Sequence, residues 1–488
     1  MKRNVFLLTL CLLGGVAFGQ EVSFRSGEKS GKKLPTQSVL HMLPADADGQ
    51  LLLVEADLNA VGAVKAIKVR QVNEEWKESA AVKIDDTRDC SSTEAFRKGD
   101  RIHMLLGSEN KSNYRLRHVV VSTADLQVVS DSVLLDVSLS KGDYCYSQVV
   151  FSPSNAFLAV VNILEMKAGG THATAMLFDG EMRRRWTHML RHGDVQQALV
   201  TDGGEVATAC LLSSKDHQKT LLRVNVADAS GARQGEAVLQ GDLEQVALLN
   251  YTGGKMLCTV LEGEGGHGLI GKRRYTAFHS ILYDMVTSTL RAGSRHAFTS
   301  EELCVFENED TDTKLSSTSA NYILLRHQAT TPGGGAVLYQ RTWKEATYRN
   351  GMEVSATYHR KGMLLASLDT LGNILWTRGV MQNNQNASET KSDMVYHNGS
   401  LYIFTNESKD ESAEYNPTVA AKRSKSLLMA NAALAVYRFA ADGTGSKQML
   451  ASDGKFIIHS PLFNQGGGKY YLLAGGMGPK ISCVTIGK

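Results

Sequence analysis

The stretch LASLDTLGNILWTR, residues 365–378, contains an apolar strand, an aspartate, a turn with a glycine, and a second strand that includes a tryptophan. A carboxylate at the end of a strand can accept a hydrogen bond from the backbone N–H two residues later, which closes an Asx turn. Asp369 is therefore predicted to reverse one strand into the next. Further copies of the pattern would mark the same turn elsewhere in the chain.

The order strand, aspartate, turn, strand recurs along the chain. Its markers are Asp125, Asp179, Asp228, Asp284, Asp369 and Asp442, with a weaker copy at Asn73. From Asn73 onward the markers are 52, 54, 49, 56, 85 and 73 residues apart. A four-stranded propeller blade takes about 40–50 residues, so the first four intervals fit one blade each. The last two fit blades with insertions, at about residues 330–362 and 381–431.

The remaining pattern indicates an all-β fold. Short apolar runs lie between the turns, stretches with helical periodicity are few, and the chain has only 7 prolines. Three apolar runs follow Asp442 and need a fourth strand, which EVSFRS at residues 21–26 can supply. We therefore predict a single β-propeller over residues 20–488, with eight blades and a ring closed by pairing of the N- and C-terminal strands. Seven blades is the alternative, if the terminal strands extend an existing blade.

Residues 1–19 have the features of a secretory signal peptide. Lys2 and Arg3 precede an apolar run of about a dozen residues, and AFG at 17–19 offers a small-residue cleavage site. The protein is expected to be exported, to the periplasm or out of the cell. Loss of the signal removes two of the 53 basic residues and none of the 50 acidic ones, which leaves a net charge of +1. A nearly neutral chain does not favour nucleic acid as a partner, and no later apolar stretch is long enough to cross a membrane.

Asp369, Gly372 and Trp376 fall where the repeat of quinoprotein-like (PQQ-type) propellers has its aspartate, glycine and tryptophan, and Asp179 with Trp186 has the same spacing. The chain resembles that class. Its dehydrogenases place a quinone on a tryptophan, beside Ca²⁺ and often a disulfide between adjacent cysteines. The six cysteines after the signal include no adjacent pair. In plan the chain is more similar to the non-catalytic, eight-bladed periplasmic scaffold propellers. The resemblance thus implies neither a cofactor nor a metal site.

The insertion at 330–362 carries the candidate binding residues Arg341, Trp343, Tyr348, Arg349 and Tyr358. Trp, Tyr and Arg are enriched in interface hot spots, and loops on a rigid scaffold often carry binding sites. We expect a non-enzymatic propeller that binds a protein, or a glycan, through one face and the long loops of blades six and seven. An ordinary extra hairpin is the competing interpretation. Deletion of residues 333–358 is expected to leave a folded protein.

The alternative function is an enzyme with its active site in the central channel, either a hydrolase, a lyase or a quinone-type oxidoreductase. Propeller sites draw single residues from several inner strands, so the absence of linear catalytic motifs does not decide against it. No catalytic residue is assigned. Two local predictions complete the interpretation: a short helix within residues 419–437, and a solvated acidic loop at 307–313.

Overall fold

A computed structural model describes a defined set of residues: 22–29, 39–45, 50–58, 64–73, 75, 77–88, 90–110, 112–190, 195–250, 254–265, 273–315, 319–349, 352–386, 391–422, 424–425, 431–451, 456–475 and 480–487. The predicted signal peptide lies outside these residues. No helix within them has the length and apolar composition needed to span a membrane.

The chain begins with β1 (Val22–Lys29) and then forms one four-stranded sheet after another. Blades one to four contain β2 (Val39–Pro44), β3 (Gln50–Leu58), β4 (Val64–Asn73), β5 (Glu78–Ile84), β6 (Cys90–Lys98), β7 (Arg101–Glu109), β8 (Asn113–Ser122), β9 (Val128–Ser138), β10 (Tyr144–Phe151), β11 (Phe157–Glu165), β12 (Thr171–Asp179), β13 (Arg184–Leu190), β14 (Gln197–Val200), β15 (Val206–Ser213), β16 (Lys219–Asp228) and β17 (Gly231–Gln240).

Blades five to eight carry additional short elements. They contain β18 (Asp242–Asn250), β19 (Lys255–Glu264), β20 (Arg274–Asp284), β21 (Thr289–Ala297), α1 (Ser300–Glu307), β22 (Ala320–Asn321), β23 (Ile323–Thr331), β24 (Gly334–Arg349), β25 (Met352–Asp369), β26 (Ile374–Val380), β27 (Asn384–Asn386), β28 (Asp393–His397), β29 (Ser400–Ser408), β30 (Ser424–Lys425), β31 (Ala432–Ala440), β32 (Gly445–Ala451), β33 (Ile457–Ile458), β34 (Phe463–Asn464), β35 (Lys469–Gly475) and β36 (Lys480–Ile486).

Eight separate sheets form the ring, and the last one contains both ends of the chain. Its strand order is β1-β36-β35-β33, with β1 antiparallel to β36 from the pair Val22–Ile486 to the pair Ser26–Ser482. Phe24 packs edge-on against Phe456 with the ring centroids 5.0 Å apart. The all-β fold, the eight blades and the closure by the terminal strands are therefore confirmed.

Because successive strands of a blade are antiparallel, its turns alternate between two faces of the ring. We call the face with the turns between first and second strands and between third and fourth strands the lower face. The upper face has the turns between second and third strands and the connections between blades. All six aspartate markers lie at the lower face, and each accepts a hydrogen bond from the backbone N–H two residues later, at 2.8–3.2 Å.

The hydrophobic core lies between neighbouring blades. Val54 and Ile67 of blade one, for example, pack in one buried cluster with Met104 and Val119 of blade two. The six cysteines of the described residues are buried thiols outside any disulfide: Cys90, Cys145, Cys210, Cys258, Cys304 and Cys483. Each blade thus buries the face of the next.

The single helix of the described residues is not where the sequence predicted one. Residues 432–440 form a buried strand, and residues 419–422 are not helical, so the predicted helix within 419–437 is wrong where the structure describes that stretch. The observed helix is α1, between blades five and six. It begins after Thr299, whose side chain accepts from Glu302 N while the Glu302 carboxylate accepts from Thr299 N. This capping box satisfies two backbone donors at the start of the helix.

Candidate functional site

The upper face above blades six and seven carries the largest structure outside the blades. β24 and β25 are 16 and 18 residues long. Residues 334–341 pair with β23 as well as with β25, and are therefore the second strand of blade six. Beyond Arg341 the hairpin continues without β23. We call residues 342–349 and 352–360 the hairpin arm.

Arg341 fixes the base of the hairpin arm. Its Nε and Nη2 donate to the backbone oxygen and to Oδ1 of Asn321 at 3.1 and 2.8 Å, and its Nη1 forms an ion pair with Glu307. Burial of the guanidinium lowers the pKa of Arg341, which the Glu307 carboxylate opposes. Glu307 is the last residue of α1, so the arm is joined to the helix at its base.

Trp343 is enclosed by two aromatic rings. The His359 imidazole is parallel to it within 2° at a centroid distance of 4.5 Å, and the Tyr322 ring lies 5.8 Å away at 23°. Tyr322 precedes β23 and His359 lies on β25. Since β24 runs between those strands, the two rings approach Trp343 from opposite sides. The Arg341 guanidinium carbon lies 4.9 Å from the indole centroid, in cation–π range.

His359 is itself tied to two further groups. Its Nδ1 is 2.9 Å from Gln385 Nε2 on β27, and its Nε2 is 3.1 Å from the Glu345 carboxylate. The indole Nε1 of Trp343 also donates to Glu345, at 3.2 Å. Side chains from three strands therefore hold the arm in one position.

The structure brings together two of the five predicted binding residues, Arg341 and Trp343. Tyr358 lies opposite Lys344, whose Nζ is 5.6 Å from the phenol centroid. Because neighbouring residues of a strand point to opposite faces, Tyr358 faces away from the side of the arm that carries Trp343 and His359. The side chains of Tyr348 and Arg349 lie outside those that the structure describes.

The acidic segment after α1 receives a loop of blade seven. Asn308 donates to Ala421 O at 3.0 Å and accepts from Ala421 N at 3.0 Å, and Ala420 N donates to Asp310 Oδ1 at 2.7 Å. The loop at 409–422 is therefore fixed to the end of the helix. We call α1, the hairpin arm, β27, β30 and residues 409–422 the upper platform.

Sequence reasoning missed Tyr322, His359 and Glu307, which hold the arm in place. No short pattern joins them, since each lies on a different element. The helix that carries Glu307 did leave a signal, because Thr299-Ser300-Glu301-Glu302 is the sequence of a capping box.

Inner-strand polar side chains form a belt around the central channel. Most of them bond to the backbone of the neighbouring blade: His41 with Thr93 O (3.0 Å), Gln148 with Val195 O (3.2 Å), Gln197 with Leu248 N (2.7 Å), Gln245 with Ile323 O (2.8 Å), and Gln465 with Met42 O (3.2 Å). Between blades six and seven the contact is His327 Nδ1 to Asp393 Oδ1 at 3.5 Å. The second Asp393 oxygen accepts from Leu462 N of blade eight at 2.7 Å.

Burial shifts the pKa values of both His327 and Asp393. It lowers the pKa of His327 and raises the pKa of Asp393, and each group's charge opposes the shift of the other. Within the described residues, no three His, Cys, Asp or Glu side chains converge on a point that could hold a metal ion. The Gln and His side chains named above therefore connect neighbouring blades by hydrogen bonds and one ion pair.

Trp376, the tryptophan of the quinoprotein-like stretch, also joins two blades. Its Nε1 donates to Ala441 O at 2.9 Å, in the turn between the third and fourth strands of blade seven. A Cβ added to Gly443 would lie 2.9 Å from the indole ring, so the backbone of this turn is packed directly on it. Here the tryptophan lies at the lower face and contacts the protein itself.

Neither the known family models nor the sequences of curated proteins match this chain. Solved structures do align with it. The Dos1 propeller has 7% sequence identity and a TM-score of 0.45 over 95% of this chain and 94% of its own. Chaetomium thermophilum Sqt1, bound to the N-terminus of ribosomal protein L10, has 10% identity and a TM-score of 0.45 over 96% and 100%. Polysaccharide lyase Uly1 has 10% identity and a TM-score of 0.39 over 95% and 92%. At these identities and TM-scores, none of them carries an argument about this chain.

Proposed function

We propose that the protein is an exported, non-enzymatic propeller, periplasmic or secreted, that binds a protein partner through the upper platform. The observation that carries this proposal is the hairpin arm, which extends past its blade and is held by the Arg341–Glu307 ion pair and the enclosed Trp343. An arm that is ordered before binding loses little conformational entropy when a partner docks. Lys344, Glu345 and Thr347 are exposed along it.

The covered faces of Trp343 favour a protein over a glycan. A sugar would pack its ring on an open aromatic face, whereas His359 and Tyr322 occupy both faces of this indole. The arm exposes instead the charged side chains of Lys344 and Glu345 and the polar side chain of Thr347, and such polar composition is typical of a protein–protein rim. The hot spot is then expected on the other side of the arm, around Tyr358.

The class of propeller that fits this function is the non-catalytic branch of the quinoprotein-like repeat. Two features support it: the repeated aspartate turns of the lower face, and the use of Trp376 as a joint between blades. The enzyme alternative would need free polar groups in the channel. In the described residues, the inner-strand Gln and His side chains that could serve it bond to neighbouring blades instead.

A photo-crosslinking experiment tests the proposal. A benzoylphenylalanine is placed at Lys344, which is exposed on the Tyr358 side of the hairpin arm, or, as a matched control, at Leu371, which is 57% exposed at the lower face. Both proteins are irradiated in the native host. A discrete cross-linked partner at position 344 only, lost when Tyr358 is replaced by Ala, is the expected result. Equal products at both positions, or a partner that survives the replacement, would overturn it.

A further inference from the structure

A cleft of about 370 Å³ opens at the lower face between blades two and three. Apolar side chains form most of its wall: Phe96, Phe151, Phe157, Leu158 and Met182. We call it the phenylalanine cleft. Its volume is near the lower end of the range for small-molecule sites, about 300–1,000 Å³. It lies on the face opposite the upper platform and is independent of the function proposed above.

The floor of the cleft is preformed. Phe96 meets Phe151 edge-on at a centroid distance of 5.1 Å and stacks on the buried His103 at 5.0 Å and 8°. His103 Nδ1 is in turn 3.0 Å from His118 Nε2. A hydrogen-bonded imidazole pair behind the ring keeps Phe96 in position, so a ligand would meet a fixed aromatic wall.

The mouth of the cleft carries a cation on a flexible stem. Lys98 Nζ lies 2.8 Å from Glu181 with its side chain 41% exposed, and a Cβ added to Gly180 would be only 2.2 Å from Nζ. The lysine thus reaches across the opening. The acidic group nearest to it on the wall, Asp179, is already engaged by its own turn and by Arg183 at 2.8 Å.

A second cleft on the same face lacks this combination. It measures about 230 Å³ between blades six and seven, and none of its wall residues is charged. Trp376 and Phe439 form part of its wall. The two clefts therefore offer a matched comparison of an aromatic wall with and without a cation at the mouth.

We propose that the phenylalanine cleft binds a small aromatic carboxylate, with its ring against Phe96, Phe151 and Phe157 and its anionic group beside Lys98. The apolar wall supplies most of the affinity through burial of the ring. The exposed ammonium selects the anion, since a carboxylate can pair with Lys98 at the mouth while remaining partly hydrated.

The test compares 2-naphthoate with its neutral amide, 2-naphthamide, by calorimetry on the full chain without its signal. Both probes are expected to bind the wild type. Gly180→Leu, whose added side chain enters the mouth where only the mobile lysine tip lies close, should weaken both by at least about tenfold. Lys98→Gln should weaken naphthoate by about threefold to fivefold and naphthamide by less than about twofold, as fits an exposed ion pair.

Leu375→Ala in the second cleft is the control and should leave both affinities unchanged. Failure of both probes to bind the wild type would overturn the proposal, and so would an equal loss in the Leu375 variant. If Lys98→Gln weakens the acid and the amide alike, the assignment of an anionic ligand is wrong. Because Lys98 lies at the surface, Lys98→Gln is expected to fold. The comparison of the acid with the amide on this variant therefore tests the proposal even if Gly180→Leu does not fold.

Discussion

The indole Nε1 of Trp376 donates to the carbonyl oxygen of Ala441 at 2.9 Å, which joins the outer strand of blade six to a turn of blade seven. Trp376→Phe removes the donor but keeps an aromatic ring. We expect the free energy of unfolding to fall by about 1–2 kcal/mol, from the lost hydrogen bond and the smaller ring. Urea unfolding measures it.

The matched variant is Trp186→Phe in blade three. In the described structure Trp186 has a ring contact with His188 at 5.2 Å and no hydrogen bond from its indole. Its replacement should therefore cost less than that of Trp376. Equal losses at the two positions would show that ring size, and not the bond between blades, determines the effect.

The aspartate turns differ in the number and length of the hydrogen bonds that the carboxylate accepts. Asp369 Oδ1 accepts from Leu371 N and Asn373 N, both at 2.8 Å, whereas Asp125 Oδ1 accepts from Gln127 N at 3.2 Å. Asp369→Ala should lower the free energy of unfolding by about 1–2 kcal/mol, and Asp125→Ala should lower it by less. Chemical denaturation of the two variants gives the order. The reverse order would mean that the turns are held by the strands rather than by the carboxylates.

These aspartates explain why the blade plan could be predicted from sequence. An Asx turn is formed by hydrogen bonds within five consecutive residues, so it can be recognised from the sequence. The distance along the chain from one such aspartate to the next then gives the length of a blade. The closure by β1 followed from counting, because the last blade lacked one strand. The helix predicted within 419–437 failed for the opposite reason. Its alanines have high helix propensity, but Ala432–Ala440 is buried between two strands of blade seven, and tertiary pairing decided.

The candidate site could be predicted only in part. Arg341 and Trp343 were found by residue type, but their roles depend on Tyr322 and His359, which the sheet brings beside them. Sequence cannot show that both faces of an indole are covered. For the same reason it could not show that the inner-strand glutamines, such as Gln245, bond to the next blade.

The boundary of the hairpin arm leads to a prediction about deletions. Residues 334–341 contain Val337, Leu338 and Tyr339, all fully buried in blade six. Deleting 333–358 should therefore unfold the protein, contrary to the expectation from sequence. Replacing only 344–358 by Asn-Gly joins the paired residues Trp343 and His359 by a two-residue turn and should change the melting temperature by less than about 3 °C. Differential scanning calorimetry of both proteins tests it, and a folded 333–358 deletion would contradict the strand assignment.

The buried histidine behind the phenylalanine cleft predicts acid sensitivity. Burial, and then the neighbouring His118, lower the pKa of His103 from 6.5 to about 4. Below pH 6.5 the unfolded chain takes up a proton that the folded chain refuses, so stability is intact above pH 6.5 and falls as the pH drops toward 4. His103→Gln, whose amide can still donate to His118, should reduce this loss by on the order of 2–3 kcal/mol.

The measurement is urea unfolding at several pH values between about 7.5 and 4.5. His172→Gln is the control, since His172 is exposed on blade three, and it should follow the wild type. If both variants lose stability with acid in parallel with the wild type, His103 is not the group responsible.

Because β1 closes the ring, a protein that lacks β1 should be restored by adding that strand as a separate peptide. Removing residues 20–29 exposes the edge of β36 and leaves Phe456 without Phe24. The melting temperature should fall by several degrees, about 1–3 kcal/mol of stability for a chain of this size, and the protein should self-associate through the open edge. A synthetic peptide of residues 21–29 added in trans should restore the melting temperature. A scrambled peptide with the same effect would disprove closure by β1.

The position of β1 also fixes the order of events as the chain is made. Strand β1 pairs with β36, the last strand described, so its partner is synthesised only after the other blades. Until β36 is synthesised β1 has no partner strand, and its contacts with β36 join residues about 450 or more positions apart. A chaperone that shields residues 22–26 of the nascent chain would therefore delay only the closure of the ring. A chain truncated at its C-terminus would leave β1 unpaired and able to pair with a strand edge of another molecule.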